Sequence, residues 1–259
     1  MRATTAQRML IGLGVFLMVG TGLLFLTGNR EAGRVAREMF VLGVVVGGTF
    51  WLGYRFRVLP RRDSFRGQTE ALAFTPREGD PFGLLDLPFT VFHWAGSVRQ
   101  IENTATGSHG GHQIVIADYW FAPTAAEQVD DYERYTCVIG PSMAGWSDLT
   151  VVPERLVSRL RDAIGVPQIN MELEEFNRAF QIRAGDARFA SAFVDARMMR
   201  WLLERSPGVG FEVSGTRVVV FRRRATASLD DVADSLALYD DFVEHIPRVV
   251  VGGSSAGSS

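Results

Sequence analysis

The stretch Phe211-Glu-Val-Ser-Gly-Thr-Arg-Val-Val-Val-Phe221 carries the clearest fold signal in this chain of 259 residues. Apolar and β-branched residues flank a Ser-Gly-Thr turn centred on Gly215, a pattern that predicts a β-hairpin. A helical pattern follows, with apolar residues at 3- and 4-residue spacing as far as Ile246. Ser228 and Asp231 form a capping box that predicts where this helix starts. The C-terminal region is therefore a strand pair followed by one helix.

The sequence preceding this hairpin shows the same alternation of strands and helices. Asp186 is a candidate cap for a helix that continues to residue 203, and Pro153 opens a helical pattern ending near residue 165. Strands come in pairs and helices singly, so we predict an α+β domain over residues 88–251, mostly an antiparallel sheet with about three helices. The predicted strands before the hairpin are residues 89–93, 97–103, 113–121, 132–139, 149–152, 171–176 and 179–183.

Two apolar runs lie in front of this domain. Residues 9–27 contain no charge over 19 positions, and residues 39–54 add 16 more uncharged positions. A bilayer needs roughly 17–25 helical residues, so residues 9–54 predict a transmembrane helical hairpin with spans at 9–27 and 37–54. A signal peptide is the alternative for the first run, although that run is long and lacks a cleavage site. A buried helix of the domain is the alternative for the second run.

The second run also carries features of a membrane anchor. Trp51 and Tyr54 suit the aromatic belt at a bilayer interface, and Arg55 and Arg57 could extend their guanidinium groups to the headgroups. Gly43 and Gly47 form a small-xxx-small pattern that allows close helix packing. This packing would join either the two helices of one hairpin or two copies of the chain.

Charge is divided unevenly along the chain. Residues 1–66 carry a net charge of +7 and residues 67–259 a net charge of −9. Seven arginines flank the hairpin and three lie in its loop, so we expect residues 1–8 and the C-terminus in the cytoplasm of a multi-pass cell-membrane protein. Residues 55–87 would be a basic juxtamembrane linker on the lipid bilayer, and residues 252–259 a flexible tail. The acidic domain argues against nucleic-acid binding.

Composition excludes several kinds of chemistry. All 27 basic residues are arginine, so no lysine is available as a Schiff-base former or general base. Cys137 is the single cysteine, which rules out an internal disulfide. No phosphate-binding loop, dinucleotide fingerprint or nucleophile elbow is present, and no cofactor is expected.

Three segments together resemble a known family. They are Glu174-Glu-Phe-Asn-Arg-Ala-Phe-Gln-Ile-Arg183, Ala196-Arg-Met-Met-Arg-Trp-Leu-Leu203 and the hairpin at residues 211–221. They resemble a bacterial family of two-span membrane-anchored proteins of unknown function that share an EFNRxF…MM…LL core. The resemblance covers roughly residues 150–246. It implies two N-terminal spans and a final strand pair, and no activity.

Two groups of residues are candidates for chemistry. His109 and His112 lie in a glycine-rich turn and could ligate a metal, with Asp118 or Glu102 as a third ligand. A solvated turn is the alternative. Cys137 could act as a thiolate if a histidine on a neighbouring strand, His93 or His112, approached it. An inert buried cysteine is the alternative.

Two classes of function remain open. The first is an interaction or scaffold module at the cytoplasmic face, which docks a protein partner or forms a homo-oligomer through a strand edge or an acidic surface. The second is a membrane-anchored hydrolase or metal-dependent enzyme that uses Cys137 or the turn of His109 and His112. Sensing of a lipid or small molecule is a third, smaller possibility.

Overall fold

Residue 63 divides the chain into two compact units, Met1–Asp63 and Ser64–Ser259. The computed structural model describes residues 30–53, 59–93, 98–122, 133–143, 146–159, 167–205, 208–223 and 232–252. We expected the folded domain to begin at residue 88, and the second unit begins instead at Ser64. The predicted first span, residues 9–27, lies outside the described residues.

The first unit contains helix α1, Arg30–Gly53, whose two ends differ in character. Its charged residues all lie within the first nine positions, and residues 39–53 carry no charge. Within the described chain, no helix has both the length and the apolar character needed to cross a bilayer. Among the described side chains of α1, the large apolar ones that are exposed are Met39, Phe40, Val41, Leu42, Val44 and Val45.

Part of the predicted linker, residues 55–87, belongs to the second unit. Helix α2, Leu59–Ala71, runs into this unit, and strand β1, Thr75–Glu78, follows it. Phe65 and Phe74 are both buried in the core. These two aromatic side chains give residues 64–78 enough buried apolar area to fold with the sheet.

Among the described residues, one sheet of nine strands forms the centre of the second unit. Its strand order is β1-β2-β3-β4-β9-β8-β5-β7-β6, and every neighbouring pair is antiparallel. This confirms the predicted antiparallel α+β architecture. The strands after β1 are β2 Val98–His109, β3 His112–Ala122, β4 Glu133–Pro141, β5 Leu149–Pro153, β6 Gln168–Ile169, β7 Phe180–Ala184, β8 Val209–Ser214 and β9 Arg217–Arg223.

Short helices accompany the sheet. In the part of the chain that the structure describes, 3₁₀ segments lie at Leu84–Asp86, Thr90–His93 and Glu154–Arg159. The α-helices that follow α2 are α3 Glu174–Ala179, α4 Ala187–Phe193, α5 Ala196–Arg205, α6 Val232–His245 and α7 Arg248–Gly252.

Two glycine turns between predicted strands form hairpins. Gly110 and Gly111 join β2 to β3 with φ angles of 57° and 79°, which a two-residue turn of the tight hairpin type requires. Gly215 has φ 56° in the turn between β8 and β9. Glycine adopts these left-handed angles without steric cost, so glycine at these positions favours both turns.

Each face of the sheet carries its own apolar cluster. Val218 and Val220 of β9 belong to a cluster with the α-helices, which defines the helix-covered face. Val219 and Phe221 belong to a second cluster with residues 84–92 and Leu156, which defines the opposite face. Because both faces are buried, β9 is apolar at consecutive positions instead of alternating.

Two of the predicted strands are wrong. Residues 89–93 form a 3₁₀ turn, because the Glu212 carboxylate accepts hydrogen bonds from the backbone N–H groups of Thr90 and Val91. Residues 171–176 are not a strand either, since α3 begins at Glu174. Asn177 bonds both the N–H and the C=O of Met171 and so holds this bend in place.

The predicted helices are present with changed boundaries. Asp186 caps α4 as expected, but Asp195 accepts the N–H groups of Arg197 and Met198 and starts a second helix, so one predicted helix is two. The pattern from Pro153 yields only a 3₁₀ segment among its described residues. The capping box at Ser228 lies outside the described residues.

Candidate functional site

The histidine turn is a hairpin tip attached to a helix. His109 and His112 face each other in the register of β2 and β3. The Nε2 atom of His109 lies 2.8 and 2.9 Å from the two carboxylate oxygens of Asp240 on α6, whereas His112 is exposed. His109 therefore ties the hairpin tip to α6.

The proposed third metal ligands are engaged elsewhere. Glu102 forms a two-pronged ion pair with Arg134, at 2.9 and 3.4 Å. Asp118 is buried and accepts a hydrogen bond from Asn103. Across the described part of the chain, no group of three or more His, Cys, Asp or Glu side chains could hold a metal ion.

Cys137 lies on β4 within the opposite face and is fully buried. Burial raises the pKa of its thiol well above the usual value, and the carboxylates of Asp118 and Glu212 raise it further. A nucleophilic cysteine needs the reverse, a positive neighbour that stabilises the thiolate. His93 is occupied at both ring nitrogens, by the Leu87 carbonyl and by Arg99. The environment of Cys137 suits a packed thiol and not a nucleophile.

The residues predicted to anchor the chain divide between described and undescribed parts. Gly43, Gly47 and Trp51 lie on α1. Gly43 is buried and Gly47 is exposed. A Cβ added at Gly47 would meet nothing within 4 Å, so neighbours among the described residues leave this glycine open. Tyr54, Arg55 and Arg57 lie outside the described residues.

A polar network that the sequence did not reveal joins α5 to α6. The Asp241 carboxylate accepts a hydrogen bond from the indole N–H of Trp201 at 2.9 Å and also binds the Arg205 guanidinium. That guanidinium lies 4.9 Å from the Trp201 ring centroid, a cation–π distance. These two α5 side chains hold Asp241 between the helices.

His245 completes this network from the last turn of α6. Its Nδ1 lies 2.7 Å from the Asp241 backbone carbonyl. A carbonyl oxygen only accepts, so Nδ1 must carry the proton, and the second nitrogen, Nε2, points away from that contact. The His245 and Trp201 rings lie 5.7 Å apart, centroid to centroid. The contacts of both rings thus fix their positions.

Beside this network lies an open cavity of about 330 Å³. We call it the arginine groove. Arg197 and Arg200 are exposed on α5, three residues apart and therefore on one side of the helix. Glu204 lies one turn further along and reaches Arg205 at 3.6 Å. The full lining is Ala196, Arg197, Arg200, Trp201, Glu204 and His245.

Glu212 is the second feature that sequence analysis missed. It is 2% exposed, on β8, and both of its carboxylate oxygens accept backbone N–H groups at 2.7 Å. Burial raises the pKa of this carboxyl from 4.5 to about 7, while the hydrogen bonds of Thr90 and Thr150 act in the opposite direction. The sequence contains one signal for this residue, a single acidic residue within an apolar strand. Acidic side chains are rarely buried without partners, so this pattern indicates a buried acceptor.

The fold, an α+β domain on a large antiparallel sheet, has a counterpart among solved structures. No family model matches the chain, and no curated protein matches it. The crystal structure of the mycobacterial trehalose monomycolate transport factor A, TtfA, is similar with a TM-score of 0.51. Sequence identity is 12%, over 73% of this chain and 97% of that one. The likeness is one of fold.

Proposed function

We propose that this chain is a membrane-anchored interaction module that holds an acidic α+β domain at the cytoplasmic face of the cell membrane. There it would dock a protein partner or a second copy of the chain. The observation that carries this proposal is the division at residue 63. A basic unit with exposed apolar side chains precedes an acidic unit whose sheet is covered on both faces.

The first unit supports the anchoring part of the proposal. Leu42, Val41 and Val45 of α1 are each more than half exposed. Leaving apolar area in water costs about 25 cal/mol per Å², so such a surface favours a lipid or protein cover. Residues 9–27 and 37–54 would supply the two spans, and the ten arginines of residues 1–66 would favour an anionic leaflet.

The second unit supports docking and not catalysis. The contacts of its two candidate groups stabilise the fold, since Cys137 is buried near two carboxylates and His109 is paired with Asp240. The outer side of α6 is acidic and exposed at Asp234, Asp240 and Glu244. A partner with basic side chains would complement this surface.

Strand addition is the less suitable way of docking. One edge of the sheet is β1, which has four residues and contains Pro76, and the other is β6, which has two. Short edges and proline both hinder pairing with another strand. The acidic side of α6 is therefore the surface that we propose for the partner.

The fold likeness to TtfA suggests one kind of process in which this chain acts. The name of that protein describes a transport factor for trehalose monomycolate. We extend to this chain only an accessory role in a membrane transport process, because one fold can serve several functions.

Cysteine labelling in whole cells tests the anchoring. Native Cys137 is fully buried and should remain unlabelled, so it can stay in place. In the proposed topology, Arg34→Cys reacts with a membrane-impermeant maleimide in intact cells, and Ser258→Cys reacts only after lysis. Labelling of both positions in intact cells, or of neither, would contradict two spans with cytoplasmic termini.

Site-specific photo-crosslinking tests the docking. A photoreactive residue at exposed Ala237 on α6 should give one discrete adduct in cells, and the same residue at exposed Arg217, the first residue of β9, should not. Reversing charge at Asp234 and Glu244 should abolish the Ala237 adduct. An adduct that persists after charge reversal, or only monomers, would overturn the proposal.

A further inference from the structure

Within the described part of the chain, the positive charge of the arginine groove is uncompensated. The guanidinium groups of Arg197 and Arg200 have no ion-pair or hydrogen-bond partner among the described residues, in contrast to those of Arg134 and Arg205. Like charges three residues apart on a helix repel each other. A bound anion would remove this repulsion and occupy both guanidinium groups.

The groove is also held in place before any ligand arrives. Trp201 is fixed by its indole bond to Asp241 and by the Arg205 guanidinium, and His245 is fixed by its bond to the Asp241 carbonyl. Rigid walls lower the entropic cost of binding. His245, with its Nδ1 proton donated to the Asp241 carbonyl, serves as a fixed wall of the groove.

We propose that the arginine groove binds a phosphate group through the guanidinium groups of Arg197 and Arg200. The planar guanidinium group offers paired N–H donors that match phosphate oxygens. A cavity of about 330 Å³ has room for the phosphate and part of the molecule that bears it. Glu204, at the far end, repels a second anionic group, so a ligand with one phosphate fits best.

The negative net charge of the domain excludes general electrostatic attraction as the cause of anion binding in the groove. Residues 67–259 carry −9, so their overall field repels anions and does not collect them. Binding must then arise from local contacts to Arg197 and Arg200. This inference goes beyond the proposed function, because the groove lies within the second unit and does not depend on anchoring.

Arginine footprinting on the full chain in detergent tests the site. Glycerol 3-phosphate should slow phenylglyoxal modification of Arg197 and Arg200, relative to sodium chloride at the same ionic strength. Arg178 and Arg188, which are exposed on α3 and α4, should react at unchanged rates. Equal protection of all four arginines, or of none, would overturn the proposal.

Matched double variants provide the second readout. Arg197→Gln with Arg200→Gln should weaken glycerol 3-phosphate binding in calorimetry about tenfold or more, the expected effect of losing charge-assisted hydrogen bonds. Arg178→Gln with Arg188→Gln removes the same charge outside the groove and should leave the affinity within about twofold. Similar affinities for the two double variants would contradict a phosphate site in the groove.

The phosphate could belong to a soluble ester or to a lipid headgroup. The full chain is reconstituted in nanodiscs of phosphatidylglycerol, and the footprint is repeated without glycerol 3-phosphate. Protection of Arg197 and Arg200 by the nanodisc alone identifies a headgroup as the source. Protection only after glycerol 3-phosphate is added identifies a soluble ligand. No protection in either case would refute the site.

Discussion

The two faces of the sheet are covered by different kinds of structure. On the helix-covered face, Phe193 of α4 contacts the rings of Trp146, Phe211 and Phe242. On the opposite face the cover includes 3₁₀ segments at residues 84–86, 90–93 and 154–159, above a row of aromatic side chains. The aromatic row consists of Tyr119, Phe121, Tyr135 and Phe221, and Phe92 of the cover packs edge-on against Tyr119.

The difference follows from backbone hydrogen bonding. An α-helix satisfies most of its own N–H and C=O groups, so its buried side can be entirely apolar. A single 3₁₀ turn satisfies few of them, and its first N–H groups need an acceptor from elsewhere. Glu212 supplies that acceptor to Thr90 and Val91. The opposite face therefore contains a buried polar acceptor for the backbone of its cover. The helices on the other face satisfy most of their own backbone groups and require fewer such acceptors.

The largest effect is expected on the helix-covered face. Phe193→Ala removes a fully buried ring and leaves a cavity between α4 and the sheet. We expect the free energy of unfolding to fall by about 4 kcal/mol, measured by denaturant titration of the full chain in detergent. Phe82→Ala, at a side chain that is 42% exposed, is the control and should change stability by less than about 0.5 kcal/mol. Equal losses for both variants would contradict the packing described.

The opposite face should respond to pH through Glu212. Its pKa is about 7 in the folded protein and 4.5 when unperturbed, so the folded state holds the proton more tightly. This stabilisation is fully present below pH 4.5 and is lost as pH rises to about 7, by about 3 kcal/mol as an order of magnitude.

Glu212→Gln removes the titrating group and should abolish that part of the pH dependence. Unfolding titrations of both proteins between pH 4.5 and 8 measure the difference in slope. The amide nitrogen of glutamine must face one N–H donor, so the variant should be less stable than the parent at pH 4.5, and this difference should shrink as pH rises. Parallel curves for the two proteins would show that Glu212 keeps an ordinary pKa.

Two tyrosines within the aromatic row should respond in opposite directions. The Tyr119 hydroxyl is buried without a hydrogen-bond partner among the described residues, whereas the Tyr135 hydroxyl donates to Glu133 at 2.7 Å. We expect Tyr119→Phe to stabilise the protein by about 1 kcal/mol and Tyr135→Phe to destabilise it by about as much. Thermal unfolding of both variants measures the difference, and a loss of stability in Tyr119→Phe would indicate that its hydroxyl has a partner.

The smallest effect is expected at the hairpin tip. The His109 and Asp240 side chains are 32% and 52% exposed, so water weakens their pairing. His109→Ala should lower the free energy of unfolding by less than about 1 kcal/mol. A loss above about 2 kcal/mol in the same titration would mean that the β2–β3 tip contributes to the core.

Local signals in the sequence predicted the parts of the fold that local contacts determine. The turns at Gly110-Gly111 and Gly215, and the Asp186 cap, depend on residues within a few positions of each other. The error at residues 89–93 has a distant cause, since the Glu212 carboxylate that bends this segment lies 122 positions from Thr90. A β-prone run such as Phe89–His93 reads as a strand until that contact is known.

The candidate sites were less predictable for the same reason. The spacing of His109 and His112 was visible, but the pairing of His109 with Asp240 spans 131 positions. Trp201 and Asp241 lie on different helices and carry no motif that joins them. Only the register of α5 against α6 brings the arginine groove together, and one sequence gives no direct signal for that register.

The place of the last hairpin in the sheet has a consequence for synthesis. Strands β8 and β9 lie at the centre, between β4 on one side and β5 on the other, although they leave the ribosome after the other seven. Until residue 223 has emerged, the two halves of the sheet expose unpaired inner edges, which are prone to aggregate. Folding is therefore expected to be slow and to finish only when the chain is nearly complete. Any apolar segment at the N-terminus therefore leaves the ribosome well before the domain can complete its sheet.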